Sequence, residues 1–444
     1  MQAPSAGWLL AIADDGKLAD LDGVTLDLSH GVPAEAFAQY DGVVAGTARV
    51  GGVEVAVFAQ EPTYKGGSMG LTHTKRLERL VSVAIEKKLP LIGLYDSGGV
   101  RVQEGGRSLE EASALVGKLL KARDVVPVIN AVMGTITGAA TYSASLGNVL
   151  VMLKGRSRMF VWGPGVAKAE TGVEVGMDEL GGTDVHSANG AASLVVADER
   201  ECTELLKVLV GYLGGMPGAA VGPSSARGEG AMGIIRSTFD GGSFIEFRSS
   251  YGRSLITGLA RLGGRTVGVV ASNGEVLRGF LDVDSCRKLS RFASMCNSLR
   301  IPMVTFLDCP GVYPAPEQER SGIITASGEA IKEYASDRSP KVTVVTGAAY
   351  GGAFVGFASK ALGSKKVFAY PNARISVMDV PSYLEIFQKK KLEAMKAGER
   401  EAEVERITAE FLKQMDPRIG VGAGYIDEII DPSLTRAKLI AAFG

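Results

Sequence analysis

The sequence predicts an α/β protein made of two domains of one fold, and an internal repeat is the main reason. Residues 46–99 align with residues 258–311 at a constant offset of 212 without a gap, and 15 of the 54 pairs are identical. After one inserted residue the repeat continues, with Pro127 matching Pro340 and Gly138 matching Gly351. Each copy alternates apolar runs of strand length with segments of helical period, an order typical of parallel sheets. A chain of 444 residues has room for two such domains, which we predict at residues 1–220 and 221–444.

The elements of the first copy follow from local patterns. Gly51 and Gly52 form a turn, and an apolar run of strand length follows Pro90. The remaining predictions are an alternating strand at 53–60, a glycine-rich loop at 65–68, helices near 70–88 and 108–122, a buried strand from Val125, and a small-residue helix after Gly138. The second copy has the same order. Residues 214–230 are dense in Gly, Pro and Ser and predict a linker.

The segment from about 382 to 415 is rich in Lys and Glu. Opposite charges four residues apart stabilise an exposed helix, so we predict one long helix facing solvent.

Composition excludes several classes of protein. A net charge of −1 gives no overall attraction to nucleic acid. The four cysteines are scattered, which argues against a metal site and for reduced thiols in a cytoplasmic protein, and the N-terminus does not resemble a signal peptide. Residues 125–153 carry no charge, but Pro127, Gly134 and Gly138 interrupt them. We therefore expect a strand, a turn and a buried helix there, not a membrane span.

The most specific local features are glycines that follow predicted strands, each present twice. The sequences YDSGG (95–99) and LDCPG (307–311) form one pair, and TGAA (137–140) and YGGA (350–353) form the other. A helix that starts directly after a glycine turn has free backbone N–H groups at its first residues. Two such N–H groups directed at one oxygen form an oxyanion hole. The sequence therefore predicts two such sites, one per copy.

Side chains for acid–base or nucleophilic catalysis are scarce. His30, His73 and His186 lack a partner in matching context, and no G-x-S-x-G elbow is present. Asp96 and Asp308 end strands, where a role in holding the loop is the simpler interpretation. Lys396 lies in an AMKA tetrapeptide similar to the biotin attachment sequence, but within the predicted charged helix, so attachment is not predicted.

Ten segments resemble, in order, the carboxyltransferase family that includes propionyl-CoA carboxylase β subunits and related biotin-dependent decarboxylases. The resemblance covers roughly residues 44–440, and its segments are VFAQEPTYKGGSMGLTHTKR, IGLYDSGGVRVQEG, VMGTITGAATYSA, FVWGPGVAKAETG, DELGGTDVHS, GRTVGVVAS, GFLDVDSCRKLSRF, FLDCPGVYPAPEQERSGII, KVTVVTGAAYGGAFV and GAGYIDEIIDP. The resemblance implies two tandem crotonase-like domains. The family's chemistry moves a carboxyl group from carboxybiotin to the α-carbon of an acyl-CoA through an enolate held by backbone oxyanion holes.

The resemblance also implies roles for residues and partners. The N-terminal copy would hold a short or medium acyl-CoA with Gly138 and Ala139, and the C-terminal copy would hold biotin with Gly352 and Ala353. The residues implied in substrate binding are Gly67, Ser68, Lys75, Gly98, Gly99, Arg101, Tyr142, Gly311, Gly351, Phe354 and Val355. Implied partners are a separate biotin carboxyl carrier protein, a biotin carboxylase subunit, and further copies in a dimer or trimer of dimers, or a related subunit in a hetero-oligomer.

This chain departs from the family pattern at three places. Ala139 replaces a glycine of the first hole, Val355 replaces a residue that is often Asp, and 379–383 replaces a glycine-containing active-site loop. Three functions remain open on the sequence: a carboxylase subunit, a decarboxylase subunit that runs the transfer in reverse, and a non-catalytic partner subunit that keeps the fold.

Overall fold

A computed structural model describes residues 3–224 and 230–444. The chain forms two compact units, Met1–Pro217 and Gly218–Gly444, so the division falls three residues before the boundary expected from the sequence. Part of the predicted linker, residues 225–229, lies outside the described residues. No helix in the described ranges combines the length and the apolar character that a membrane crossing needs.

The first unit contains one mixed sheet and the helices that pack on it. Its strands are β1 Lys17–Asp20, β2 Thr25–Asp27, β3 Val43–Val50, β4 Val53–Gln60, β5 Leu91–Ser97, β6 Val128–Thr137, β7 Val149–Leu153, β8 Arg158–Phe160 and β9 Leu194–Val196. Its helices are α1 Pro4–Ile12, α2 Ala34–Gln39, α3 Leu71–Lys87, α4 Gly106–Ala122, α5 Ala139–Ser145, α6 Pro164–Thr171, α7 Met177–Gly181, α8 Thr183–Ala188 and α9 Glu199–Leu213.

The second unit repeats this plan. Its strands are β10 Ile245–Phe247, β11 Leu255–Leu262, β12 Arg265–Ser272, β13 Met303–Cys309, β14 Lys341–Tyr350, β15 Ser364–Ala369, β16 Arg374–Ser376 and β17 Glu428–Ile429. Its helices are α10 Gly230–Thr238, α11 Val283–Ser298, α12 Pro316–Arg320, α13 Ile323–Ala335, α14 Gly352–Ala358, α15 Val380–Tyr383, α16 Lys389–Glu393, α17 Ala397–Gln414, α18 Pro417–Ala423 and α19 Thr435–Phe443.

The repeat predicted from the sequence is confirmed in the strand order. The first sheet runs β2-β1-β3-β4-β5-β6-β7-β9 and the second runs β10-β11-β12-β13-β14-β15-β17, while β8 pairs with β6 and β16 with β14. Strands β3, β4 and β5 begin 212 residues before β11, β12 and β13, and β6 begins 213 residues before β14. From β4 to β7 and from β12 to β15 every pairing is parallel.

The pairing of β3 with β4, and of β11 with β12, is antiparallel, and this hairpin lies outside the predicted strand–helix repeat, whose strands pair in parallel as expected. The reason for the antiparallel pairing is the two-residue glycine turn, Gly51–Gly52 and Gly263–Gly264, because so short a connection joins only antiparallel strands. Strand β4 is also buried on both faces from Val55 onward, so the expected alternation is absent.

Each unit has its own apolar core. In the first unit α3 and α4 cover the sheet, and the buried side chains of α3 recur at helical spacing at Leu77, Leu80, Val81 and Ala84. Strand β5 lies in the middle of this sheet, and all its residues except Asp96 are buried. The predicted buried strands and amphipathic helix are therefore confirmed.

The prediction of one long helix at 382–415 is wrong. Helix α15 and a π-helical segment, Leu384–Gln388, lead into α16, the chain turns at 394–396, and α17 follows. Arg400 fixes this break, because its guanidinium donates to the carbonyl oxygen of Leu392 at 2.8 Å. Lys391 and Glu403 form an ion pair at 2.6 Å that holds the two helices together. Lys396 therefore lies in the turn before α17 and not inside a helix.

Candidate active site

An aspartate interrupts the same central strand in each unit. The register between β5 and β6 shifts between Tyr95 and Ser97, and the register between β13 and β14 shifts at the equivalent place, between Leu307 and Cys309. Asp96 occupies the first irregularity, and its carboxylate accepts the N–H of Thr135 at 3.3 Å. In the second unit Asp308 accepts the N–H of Ala348 at 2.7 Å. In each unit the aspartate therefore bonds to a backbone N–H of the neighbouring strand, whereas the expected role was in holding a loop.

These aspartates explain two of the repeated glycines. A Cβ atom at Gly134 would overlap the carboxylate of Asp96, and one at Gly347 would overlap that of Asp308. Burial raises the pKa of the Asp96 carboxyl to about 6, against the opposing effects of the Thr135 N–H and of Arg156. Each carboxylate thus fixes the ends of two neighbouring strands, from which the next loop and short helix start.

The short helices α5 and α14 begin directly at these strand ends. Their preceding residues, Gly138 and Gly351, have φ angles of 56° and 49°, which side-chain-bearing residues rarely adopt. This conformation turns the chain sharply from strand to helix. The predicted glycine turns are therefore present at the same position in both units.

In the first unit the N–H groups that lack a partner lie one residue further along the chain than the expected pair, Gly138 and Ala139. The N–H of Gly138 donates to the carbonyl oxygen of Val161 at 3.2 Å, so it is not available to a ligand. The next two N–H groups, those of Ala139 and Ala140, have no hydrogen-bond partner within the described residues. We call these two groups the first N–H pair.

The second unit has the same arrangement. The N–H of Gly351 donates to the carbonyl oxygen of Ser376 at 3.0 Å, while the N–H groups of Gly352 and Ala353 lack a partner in the part of the chain that the structure describes. We call these the second N–H pair. A Cβ atom at Gly352 would have no other atom within 4 Å, so the space beside Gly352 is open, whereas Ala353 is buried. The two pairs are equivalent at an offset of 213.

Several predicted ligand residues lie around these helices. Tyr142 on α5 is 51% exposed and Val355 on α14 is 50% exposed. Phe354 is half-buried, with its ring packed edge-to-face against Tyr425 at 5.6 Å between ring centres. Tyr142 and Val355 are therefore accessible beside the N–H pairs, whereas Phe354 is partly held by the protein.

The loop at 65–69 lies against the end of β5. Gly98 donates its N–H to Gly66 at 2.9 Å, and Met69 donates its N–H to Gly99 at 2.8 Å. The hydroxyl of Ser97 donates to the carbonyl oxygen of Gly67 at 2.8 Å. The structure thus brings together the predicted residues Gly67, Gly98 and Gly99. Gly311 has the matching bond, because its carbonyl accepts the N–H of Leu281 at 2.9 Å.

Arg101 is only 6% exposed, and protein groups occupy its guanidinium. It forms ion pairs with Asp41 at 2.6 Å and Glu104 at 2.8 Å. It also donates to the carbonyl oxygen and the hydroxyl of Ser68, at 2.7 and 3.1 Å. This geometry favours a positioning role for Arg101 in holding the loop at 65–69. Lys75, by contrast, is largely exposed and pairs with Glu111 at 3.5 Å.

The histidines do not supply an acid or base near the N–H pairs. His73 is fully buried, with Nδ1 3.0 Å from the carbonyl oxygen of Asp41, and burial lowers its pKa to about 4. His186 lies 2.6 Å from the carbonyl oxygen of Met159 through Nε2, and His30 is exposed beside Asp27. Chemistry at the N–H pairs would therefore rest on backbone dipoles and on groups that the ligands bring.

The segment 379–383, which departs from the family pattern, forms the start of a helix. Asp379 caps α15 by accepting the N–H of Ser382 at 2.8 Å. Tyr383 stacks on Phe411 with ring centres 4.4 Å apart. The side chains at both ends of this segment, Asp379 and Tyr383, are thus engaged in local structure.

Two residues beside the N–H pairs were not predicted. Val161 supplies the carbonyl that holds Gly138, and Trp162, which follows it, is 68% exposed. Both lie in the segment FVWGPGVAKAETG that resembles the family, but the sequence assigns neither a role, because the hydrogen bond joins residues 23 positions apart. What distinguishes Trp162 is its exposure to solvent, and the exposure of a side chain cannot be read from a single sequence.

Comparison with known proteins gives a consistent result. Residues 27–444 match the carboxyl transferase domain family. A putative propionyl-CoA carboxylase beta chain of Bacillus subtilis (strain 168) is 35% identical over 422 residues, covering 91% of this chain and 83% of that protein. The methylmalonyl-CoA decarboxylase subunit alpha of Veillonella parvula is 32% identical over 423 residues, covering 90% and 81%.

The fold comparison agrees. A crystal structure of transcarboxylase 12S, a hexamer with methylmalonyl-CoA and methylmalonic acid bound, is 30% identical with a TM-score of 0.87, covering 99% of this chain and 88% of that one. That protein has the tandem crotonase-like fold, which confirms the fold expected here. With the duplicated sheets and N–H pairs described above, these similarities show that the chain belongs to the carboxyl transferase family and is a carboxyltransferase.

Proposed function

We propose that this chain transfers a carboxyl group between a biotin carrier and an acyl-CoA, with one ligand at each N–H pair. The observation that carries the proposal is the duplication of two adjacent, unpartnered backbone N–H groups at the start of α5 and of α14. The relatives act, by their names, on propionyl-CoA and methylmalonyl-CoA, which supports a short acyl-CoA as the substrate.

The first N–H pair would hold the thioester oxygen of the acyl-CoA. Removing the α-proton of a thioester places negative charge on that oxygen, and Ala139 and Ala140 would each donate to it. The loss of one such donor typically lowers the rate by about 10²–10³. The methyl group of Ala139 leaves both backbone donors in place, and the acyl-CoA would be held around it, whereas the ligand of the second pair would use the space that is open beside Gly352. Asp96 contributes by fixing the strand ends that carry the pair.

The second N–H pair fits the ureido oxygen of biotin. That oxygen is a hydrogen-bond acceptor, and Gly352 and Ala353 offer two donors, the first of which lies beside open space. When bound, carboxylated biotin would supply CO2 and, after CO2 has left, a basic ring nitrogen, which accounts for the lack of a histidine at either pair. The chain's own contribution is to bind, to orient and to stabilise the developing charge.

A test of the proposal uses purified protein, a carboxylated biotin carrier protein, and acetyl-, propionyl- and butyryl-CoA. Mass spectrometry should show a gain of one carboxyl group on at least one acyl-CoA, dependent on the protein. Carrier that has not been carboxylated is the matched control. Failure to carboxylate any of the three, by protein shown to be folded, would contradict the forward reaction.

The reverse direction is a second candidate, favoured by the similarity to the methylmalonyl-CoA decarboxylase subunit. Its identity to this chain is close to that of the propionyl-CoA carboxylase chain, so similarity does not separate the two directions. Incubation of malonyl- or methylmalonyl-CoA with uncarboxylated carrier tests it, since carboxyl-carrier would accumulate. A chain inactive in both directions would be the non-catalytic partner subunit.

We also propose that the working form contains at least two chains, as a dimer, a trimer of dimers, or an assembly with a related subunit. The hexameric assembly of transcarboxylase 12S supports this. Light scattering combined with the transfer assay tests it, and a fully active monomer would contradict it. The further partners in this proposal are the biotin carboxyl carrier protein and a biotin carboxylase subunit.

A further inference from the structure

An exposed apolar side chain stands at the same place beside each N–H pair. The carbonyl of Val161 accepts the N–H of Gly138, and the next residue, Trp162, is 68% exposed. The carbonyl of Ser376 accepts the N–H of Gly351, and the next residue, Val377, is 77% exposed. In both units, therefore, the backbone just before the exposed side chain is held by one hydrogen bond to the residue that precedes the N–H pair.

A second exposed side chain stands on each short helix. Tyr142 lies three residues after the first donor of its pair, and Val355 lies three residues after the first donor of the other. Residues three apart are neighbours on a helix surface. Their exposures are nearly equal, 51% and 50%. Each N–H pair thus has two exposed apolar side chains.

Exposed apolar side chains kept in one arrangement in two diverged copies indicate a surface that a ligand covers. The exposed side chains differ in size between the two units, because the first N–H pair is flanked by a tryptophan and a tyrosine and the second by two valines. Flat aromatic faces pack against planar amides and hydrocarbon chains. This difference would let each pair select its own ligand.

We infer that Trp162 and Tyr142 contact the thioester end of the acyl-CoA held by the first N–H pair, and that Trp162 sets how tightly that ligand binds. The inference rests on the proposed function. The thioester end is the part of the ligand that lies nearest to Trp162. The carbonyl oxygen of Val161 is 3.2 Å from the nitrogen of Gly138, and Trp162 and Ala139 are the next residues along the chain, about 3.8 Å from Cα to Cα in each case. The adenine of the ligand lies at the other end of the long pantetheine arm.

The chain offers a direct optical test, because Trp8 and Trp162 are its two tryptophans. Trp8 is 5% exposed, and its indole N–H lies 3.4 Å from Glu199. The variant Trp8→Phe therefore reports emission from Trp162 alone. Titration of this variant with propionyl-CoA should give a saturable change in emission, with the midpoint equal to the dissociation constant from calorimetry.

Two fragments locate the contact. S-propionyl-pantetheine carries the thioester without the nucleotide, and 3′-phospho-ADP carries the nucleotide without the thioester. The inference requires that the first changes Trp162 emission at saturation and that the second does not. The opposite pattern would overturn it.

Calorimetry separates the inference from the function on which it rests. Binding of propionyl-CoA with unchanged Trp162 emission overturns the inference and leaves the proposed function intact. Absence of binding overturns both. Emission that changes with protein concentration and not with ligand would show that another chain covers Trp162, and would also overturn the inference.

Kinetics give an independent readout. Trp162→Ala should raise KM for propionyl-CoA about 10-fold with kcat within about a factor of two, because a contact made equally in ground and transition states affects binding alone. Trp162→Phe should restore most of the affinity. Val24→Ala, which removes an apolar side chain 55% exposed on the turn between β1 and β2, is the matched control and should leave both constants unchanged. An unchanged KM in Trp162→Ala, with an unfolding midpoint equal to that of the native protein, would refute the inference.

Discussion

A methyl group added at Gly352 tests the second N–H pair without disturbing the fold. Gly352 is the first residue of α14, and a Cβ atom there would have no neighbour within 4 Å. Alanine stands at the equivalent position of the first unit, Ala139, so the backbone accepts this residue. Alanine is also the better helix former, by up to about 1 kcal/mol. We therefore expect Gly352→Ala to unfold at the same temperature as the native protein or slightly above it.

The same methyl group would occupy the open space beside the donors of Gly352 and Ala353. An acceptor oxygen displaced from one donor is expected to lower carboxyl transfer by about 10²-fold or more. The assay is single-turnover transfer from carboxylated carrier to propionyl-CoA, with thermal unfolding measured on the same preparation. Unchanged transfer by folded Gly352→Ala would refute the assignment of the second N–H pair.

Gly351→Ala is the matched contrast, one residue away. Gly351 has a φ of 49°, and its Cβ atom would lie 3.0 Å from the carbonyl oxygen of Val377. Strain of this kind costs about 1–3 kcal/mol, and in a unit of this size each kcal/mol lowers the unfolding midpoint by roughly 2–4 °C. A stable Gly352→Ala and a destabilised Gly351→Ala would separate the effect on the ligand from the effect on the fold.

Three further predictions concern substrate choice, pH dependence and a buried ion pair. The family resemblance implies that Val355 of one chain lies by the acyl pocket of another, so Val355→Asp should lower the preference for longer acyl chains, since one methylene in an apolar pocket is worth about 1–3 kcal/mol; unchanged ratios of kcat/KM among acetyl-, propionyl- and butyryl-CoA would show that Val355 does not line the pocket. Asp96 has a pKa raised above its usual value, so its ionisation destabilises the folded state, and native stability falls as pH rises from about 4 through 6. Since the carboxyl is only partly buried, Asp96→Asn should gain about 1–2 kcal/mol over the native protein at pH 8 and almost nothing at pH 4 in urea unfolding; an equal gain at both values would contradict this. Arg101→Ala should destabilise the protein by about 3–5 kcal/mol because Asp41 is left buried and unpaired, whereas a higher KM with unchanged stability would assign Arg101 to the substrate.

The sequence alone predicts the internal repeat, the strand–helix order within each copy, and the position of both glycine turns. These features depend on apolar periodicity and glycine placement within short segments, and two copies gave each pattern an independent check. Strands β5 and β13 and the starts of α5 and α14 therefore lie where the sequence predicts them. The antiparallel hairpin at Gly51 and Gly52 also follows from local information, because a two-residue glycine turn joins antiparallel strands.

The tertiary structure decided which groups are free and which are occupied. The N–H of Gly138 donates to the carbonyl oxygen of Val161, 23 residues away, so the N–H groups without a partner are those of Ala139 and Ala140. The guanidinium of Arg101 forms an ion pair with Asp41, 60 residues away. Arg101 therefore holds a loop, whereas the sequence suggested a ligand contact. Local patterns fix the path of the backbone, but the partner of each donor, acceptor and charge depends on which distant segments the fold brings within about 3 Å.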